Sequence, residues 1–363
     1  MADRVVIAGV HRANVRVESM TVRQMCGRAG RPKIRDGRPV LSRGDAYVLL
    51  PESGFAALRE EYGAVEPVDS RLNDPRHLAF HVVSEIVQGR VVDAASFADW
   101  HSRSLAHAQG RVVERADIER TFAALSKLRA IETSDDGETF VATPLGRLSY
   151  FMYFSPWQVC GWCINFSKLF KLRTAIDDVT APWAIANVSG GAAAGAGDSA
   201  PAVAAFRSAC AKRGLQAEKP VAVAGAAIAG LMHGRRLPGL EGLQAQLAAD
   251  FGRVATALSL MEKTCAPWWK YGRWAELGAM VRYGLPPAMA SLTRLDGVGG
   301  KRARILWRHG IRRPSDLVSR AEAHGPLRKQ LGPRAFDAAL ASAKSLAGKR
   351  RKPGKAGEGG PAE

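Results

Sequence analysis

Acid is scarce in this chain. Its 363 residues carry 34 Asp and Glu against 52 Lys and Arg, a formal charge of +18, and the excess recurs along the chain instead of sitting only in a tail. Such a balance favours polyanion partners, nucleic acid first among them. Cysteine is also rare: Cys26, Cys160, Cys163, Cys210 and Cys265 are odd in number and irregularly spaced, with no apolar signal segment at the N-terminus. That excludes a disulfide framework and implies a reducing, cytoplasmic compartment. No apolar run approaches the ~20 residues a membrane helix needs, the longest being "VAVAGAAIAG" at 221–230, so no membrane contact is expected. Phosphate-binding motifs are missing as well. There is no G-x-x-x-x-G-K-[ST] and no D-E-x-H, and "GVGGKR" fails on both spacing and the final hydroxyl.

Metal ligands are equally thin. Cys160-Gly-Trp-Cys163 has zinc-like internal spacing but no second Cys or His pair nearby. Set among Trp157, Trp162 and Phe166, these residues read as buried free thiols, and no metal site is expected. His101 and His107 lie six apart, a separation that does not share a helix face, so no site is argued from them. What the chain does have is 47% apolar residues, enough to build two to four compact units.

The first fifty residues read as strand, turn, helix, loop, strand, with "RVVIAGV" and "DAYVLLP" at 45–51 as the strands. That is α/β sheet material, too little for a domain of its own. From about Asp69 to Tyr150 three short helices precede a hairpin. "DAASFADWHSRSL" starts on Asp93 as an N-cap, "ADIERTFAALSKL" places Ile118, Phe122, Leu125 and Leu128 on one face, and Asp136-Gly137 supplies the hairpin turn. Helices followed by a small hairpin suggest a winged helix. Thr143-Pro144 opens a further helix, and the next ~140 residues read as largely helical.

Near the C-terminus stands "LTRLDGVGGKRARIL". Leu292 and Leu295 end one helix, Gly297-Val298-Gly299 makes a tight turn, and Ala303 lets a second helix pack closely, the pattern of a helix-hairpin-helix. Gly297, Val298, Gly299 and Gly300 leave backbone N–H groups bare at the positive end of the second helix, where a nucleic-acid phosphate is held without any base being read. Lys301, Arg302, Arg304, Arg308, Arg312 and Arg313 add six positive charges in thirteen residues with no acid among them.

At the other end, "RQMCGRAGRP" sets Gln24, Gly27, Arg28, Gly30 and Arg31 in the pattern Q-x-x-G-R-x-G-R, which resembles motif VI of superfamily-two helicases. Motif order, with "YVLLP", winged helix, long helical region and terminal helix-hairpin-helix, is similar to that of the archaeal-type DNA repair helicases in the Ski-two-like group. The resemblance covers roughly residues 3–345. "ADRVVIAGV" looks like the strand after motif V, "VEPVDSRL" like the linker into the winged helix, and "ATPLGRLSYFMYFSP" like its exit.

The resemblance implies a mainly α, multi-domain fold. Its parts would be 1–55, the C-terminal part of a second RecA-like domain; 56–68, a linker; and 69–150, the winged helix. Then follow 151–285, a helical ratchet domain with a flexible connector at 189–201; 286–345, the helix-hairpin-helix; and 346–363, a disordered basic tail. By the same resemblance Arg28 and Arg31 contact the γ-phosphate of ATP, Gln24 couples nucleotide to the domain interface, and Arg253 on a ratchet helix at 249–264 contacts single-stranded DNA.

Three departures qualify it. The tryptophan expected to stack on a base is Leu260, leaving Trp268 or Trp269 as substitutes. "HRANVRVESMTV" is short for a strand-separating hairpin. Without Walker residues the chain reads as an incomplete ATPase, able to use ATP and Mg only if a missing first RecA-like domain is supplied, as by a separately encoded helicase domain. The expected partner is single-stranded or branched DNA in a nucleoid-associated setting. A non-enzymatic DNA-binding adaptor and an RNA helicase of the same group are the alternatives.

Overall fold

The computed structural model describes residues 3–12, 15–30, 33–35, 38–40, 43–64, 68–135, 137–187, 199–320 and 324–350. It is mainly helical. The chain divides into two compact units, Met1–Ser70 and Arg71–Glu363.

The first unit runs β1 (Arg4–Ile7), β2 (His11–Arg12), β3 (Val15–Arg16), α1 (Ser19–Cys26), β4 (Lys33–Arg35), β5 (Arg38–Val40), β6 (Asp45–Val48) and α2 (Phe55–Gly63). Strands β1 and β6 pair in parallel, from Arg4 opposite Asp45 to Ile7 opposite Val48. Because side chains alternate along a strand, Val5, Ile7 and Val48 share one face and join Val10 and Val22 in a small core. Val6, Tyr47 and Leu49 are exposed. Parallel sheets are ordinarily covered on both faces, and here one face is bare. The β2–β3 hairpin has two residues per strand, in keeping with its short sequence. The segment expected as a linker, 56–68, is helical through Gly63. Leu58 and Tyr62, four apart, explain this: Leu58 is buried, and Tyr62 packs on the core while its Oη donates to the Val17 carbonyl at 2.7 Å.

The second unit opens with α3 (Pro75–Val87), α4 (Ala94–Ser102), α5 (Leu105–Ala108), α6 (Arg115–Lys127) and the antiparallel pair β7 (Ile131–Thr133) and β8 (Phe140–Ala142). Asp74 caps α3 and Asp93 caps α4 in a capping box with Ser96. The expected stripe on α6 faces the core through Ile118, Phe122 and Leu125, with Phe122 stacked on Phe140 at 4.3 Å between centroids. In the hairpin turn Gly137 has φ +75°, and Asp136 lies outside the described residues.

Helix α7 (Pro144–Met152) follows with Thr143 as N-cap. Thr143 Oγ1 accepts from the Gly146 amide at 3.2 Å and donates to the Arg129 carbonyl. Gly146 sits where a Cβ would come within 2.0 Å of the Ala130 carbonyl oxygen. An alanine there would gain up to about 1 kcal/mol of helix propensity, yet backbone oxygen cannot yield as a side chain would. Gly146→Ala is therefore expected to destabilise the chain by about 1–3 kcal/mol in urea unfolding.

Helices α8 (Pro156–Lys171), α9 (Thr180–Ala186), α10 (Ala200–Ala211), α11 (Lys219–Met232), α12 (Glu241–Thr264) and α13 (Trp274–Tyr283) share the largest core. The Ala/Gly run at 221–230 falls inside α11 and is mostly buried; Gly225 permits close approach of the Phe206 ring from α10. Of the expected connector 189–201, residues 189–198 lie outside the described ones, and Ala200 and Pro201 begin α10.

Last come α14 (Pro287–Ala290), α15 (Gly300–Arg308), α16 (Asp316–Ser319), α17 (His324–Leu331) and α18 (Pro333–Arg350), gathered around Leu292, Leu306, Ile311, Leu317 and Phe336. Of the tail expected to be disordered from 346, residues 346–350 are the end of α18, and residues 351–363 lie outside the described ones. Leu346 packs against this core and extends the helix past the predicted boundary.

Candidate nucleic-acid interface

The glycine turn near the C-terminus is built as the spacing predicts, from a shorter first arm. Helix α14 passes into one 3₁₀ turn, Ser291–Arg294, and Leu295 ends it in extended backbone. Gly297 has φ +73°, a region open to glycine. Val298 is buried and its amide donates to Leu295 O at 3.0 Å. Gly299 is the N-cap of α15 and offers no side chain to cap it. The first amide of this helix to find a backbone acceptor is Ala303, which donates to Gly299 O at 2.9 Å. The N–H groups of Gly299, Gly300, Lys301 and Arg302 thus make up the open end of α15, where the helix dipole adds positive potential.

The surrounding cations divide into two sets. Arg302 Nη1 donates to Gly297 O at 2.7 Å and braces the turn. Arg304 Nη2 donates to the carbonyls of Tyr283 and Gly284 at 2.9 and 3.0 Å, clamping α15 to the end of α13. Gly300 makes that approach possible, since a Cβ there would meet Tyr283 Cβ at 2.8 Å. Arg312 lies over the Trp307 ring at 4.0 Å. By contrast Lys301, Arg308 and Arg313 are exposed, and among the described residues none of their side chains meets an acid. Arg334, at the start of α18, joins Gly297 and Arg302 in lining an open depression beside the turn. Sequence reasoning missed Arg334, because only the fold of α18 against the turn brings it there.

The helix expected at 249–264 is the last two-thirds of the longer α12. Arg253 stays at the surface, 3.5 Å from Asp250 and with Cζ 4.5 Å from the centroid of the Phe154 ring. Leu260 is partly buried against the main core. Trp269 is buried and donates from Nε1 to Ser167 Oγ at 3.2 Å, so it cannot stack on a base; Trp268 is exposed. Gly252, Thr256, Ser259 and Lys263, at helical spacing, line a groove of about 400 Å³ with Arg282 and Tyr283 of α13. Lys263 and Arg282 were not singled out from sequence, since each is one cation among many until α12 and α13 are packed.

In the first unit, α1 carries the arginine-rich loop. It ends at Gly27, whose amide donates to Arg23 O, and the Arg28 and Ala29 amides reach back to Met25 O and Cys26 O at 3.1 and 3.0 Å. Gln24 and Arg28 are four apart and both exposed. Arg31 lies outside the described residues. Gly30 has φ +64°, and a Cβ on Gly44 would fall 2.1 Å from the Gly30 nitrogen, so the loop is seated directly on the backbone at Gly44. Arg23, the neighbouring arginine, is spent on structure: its Nη2 donates to Gly63 O and ties α1 to α2.

All five thiols are free, and burial raises Cys160, Cys163 and Cys265 above the usual thiol range, which keeps them protonated and poorly nucleophilic. Among the described residues no group of three His, Cys, Asp or Glu could hold a metal ion. No described helix is long and apolar enough to cross a membrane. No protein-family model matches the chain.

Proposed function

We propose that this chain is the C-terminal portion of an ATP-dependent DNA helicase of repair, binding single-stranded or forked DNA through its phosphates. The uncapped start of α15 carries the reading: four amides at a helix N-terminus, beside the exposed cations Lys301, Arg308 and Arg313, which meet no acid among the described residues. Backbone N–H groups and lysine or arginine heads grip phosphate oxygens at any sequence, as a translocating enzyme requires. In this reading α14 to α15 form the helix-hairpin-helix, α3 to β8 the winged helix, and α12 a ratchet helix whose groove, with Lys263 and Arg282, continues the DNA path. The setting is cytoplasmic and nucleoid-associated.

The first unit then belongs to a second RecA-like domain. Two features support this: the parallel β1–β6 pair with one uncovered apolar face, and the exposed Arg28 on a loop fixed by Gly30 and Gly44. Arg28 has the chemistry of a γ-phosphate contact, with Gln24 beside it and Arg31 assigned the same role by resemblance. ATP and Mg need a lysine and an acidic residue that no motif in these 363 residues provides, so a separate RecA-like domain must hold them. The purified chain is expected to bind single-stranded DNA and to show no DNA-stimulated ATP hydrolysis. Turnover by the chain alone, abolished by Arg28→Ala, would overturn the incomplete-motor reading. An adaptor reading, in which Arg28 contacts only nucleic-acid phosphates, predicts that Arg28→Ala weakens DNA binding in the absence of nucleotide. The RNA-helicase reading predicts equal or tighter binding of RNA of the same sequence.

A further inference from the structure

We infer that Phe151 and Tyr153, at the end of α7, form a stacking platform for the bases of a single strand, with Arg147 holding the adjoining phosphate. The platform presupposes that the chain binds single-stranded DNA, the reading proposed above, and adds base contact to a grip otherwise made on phosphates.

The two rings are the most exposed aromatic side chains among the described residues, at 70% and 69%. A lone exposed apolar residue needs no explanation, but two rings two residues apart make a patch. Local backbone turns Tyr153 outward. Ser149, fully buried, donates from Oγ to the Phe154 carbonyl at 2.6 Å and accepts the Phe154 amide on its own carbonyl at 3.1 Å. That clasp ends α7 and folds Phe154 back into the main core, edge-on to Trp162 at 4.8 Å between centroids. Tyr153, the residue before it, takes φ +55°, a left-handed conformation that tyrosine rarely adopts and that glycine would fill with less strain. Phe80 of α3 meets the Tyr153 ring at right angles, 5.1 Å between centroids, and steadies it without covering it.

Charge beside the rings suits a polyanion. The exposed positions of α7 are Pro144, Arg147 and Phe151, so its outer face carries a cation and a ring and, apart from the proline, no aliphatic side chain. Arg147 meets no acid among the described residues. It stands one turn before Phe151, about 5–6 Å between Cβ atoms, close enough for one nucleotide to lay its base on the ring and a phosphate oxygen on the guanidinium. Past Tyr153, Arg253 of α12 lies over the Phe154 ring, and its contact with Asp250 is an exposed one at 3.5 Å. Exposed pairs of this kind are weak and leave the guanidinium open to a phosphate. Aromatic faces stack on any base while cations follow the backbone, so the platform holds a strand without reading its sequence.

Binding of an oligodeoxythymidine to the full chain, followed by fluorescence anisotropy across a salt series, tests the platform. Phe151→Leu and Tyr153→Leu are each expected to weaken binding roughly tenfold. The slope of log K against log salt should not change in either, because a stacked base releases no counterion. Phe151→Tyr and Tyr153→Phe keep the rings and are expected to bind as the unaltered chain does. Arg147→Ala is expected to reduce the slope by about 0.7, the value of one phosphate on a single strand. On an abasic strand of the same length, the leucine variants and the unaltered chain are expected to bind alike. Should Tyr153→Leu fail to fold, Phe151→Leu against Phe151→Tyr carries the test, on a side chain that the core does not use. Leucine variants that bind the thymidine strand as tightly as the unaltered chain, or that lose as much on the abasic strand, overturn the platform and leave the phosphate grip on α15 in place. Loss of self-association in sedimentation, with DNA affinity unchanged, also overturns it and assigns the patch to a protein contact. If the unaltered chain binds no single strand at all, the platform falls together with the reading it presupposes.

Discussion

Replacing Lys301, Arg308 and Arg313 together by alanine is expected to weaken binding of single-stranded DNA and flatten its salt dependence. On single strands each neutralised phosphate contributes about −0.7 to the slope of log K against log salt. Three lost contacts therefore reduce the slope by about 2, and binding at low salt falls by orders of magnitude while binding at high salt changes little. Stability should hardly move, because all three side chains are exposed and meet no acid among the described residues; such surface changes stay within about 0.5 kcal/mol. Arg304→Ala is the contrasting control. It releases the clamp on Tyr283 and Gly284, so it lowers stability while altering the slope by less than one contact. An unchanged slope in the triple variant would remove the phosphate grip from α15.

Trp274→Ala is expected to cost about 3–5 kcal/mol in urea unfolding, as for other buried aromatic truncations. The side chain is 1% exposed at the start of α13 and packs edge-on against Phe166 at 5.0 Å and Tyr271 at 4.6 Å. Its Nε1 also donates to Glu262, whose carboxylate accepts the amides of Tyr271 and Gly272. One carboxylate on α12 thereby fixes the whole 265–273 connection to α13. Truncation opens a cavity and strips that partly buried carboxylate of a donor, so two penalties add. Trp274→Phe keeps most of the ring and should fall well below the alanine value. If Trp274→Ala costs under about 1 kcal/mol, the central core is not organised around this residue.

Local signals in the sequence were legible where a single residue type solves a single backbone problem. Asp93 and Thr143 cap helices, Pro144 occupies a first turn, and Gly297 takes a positive φ, all as their chemistry dictates. The stripe Ile118, Phe122 and Leu125 faced the core because helical period and burial agree. Helix within the segments expected as linker and tail comes from tertiary contacts of weakly patterned residues. Tyr62 ties the 55–63 helix to a core formed by residues far earlier, with Leu58 buried on the same helix, and Leu346 packs on the last core where composition alone suggests release. Trp268 and Trp269 are adjacent and chemically identical, yet the fold buries one and exposes the other.

The candidate sites divide the same way. By itself the sequence determined the charge, the glycine turn, the Gln24–Arg28 spacing and the absence of Walker motifs, since composition and short-range backbone chemistry need no distant partner. Tertiary structure alone decided which arginines are available. Arg304 and Arg302 hold carbonyls, Arg23 ties two helices, and Lys301, Arg308 and Arg313 meet no acid among the described residues. It also made the groove at Lys263 and Arg282, because a concave site forms only when helices remote in sequence pack, and packing is set by the sum of many weak contacts.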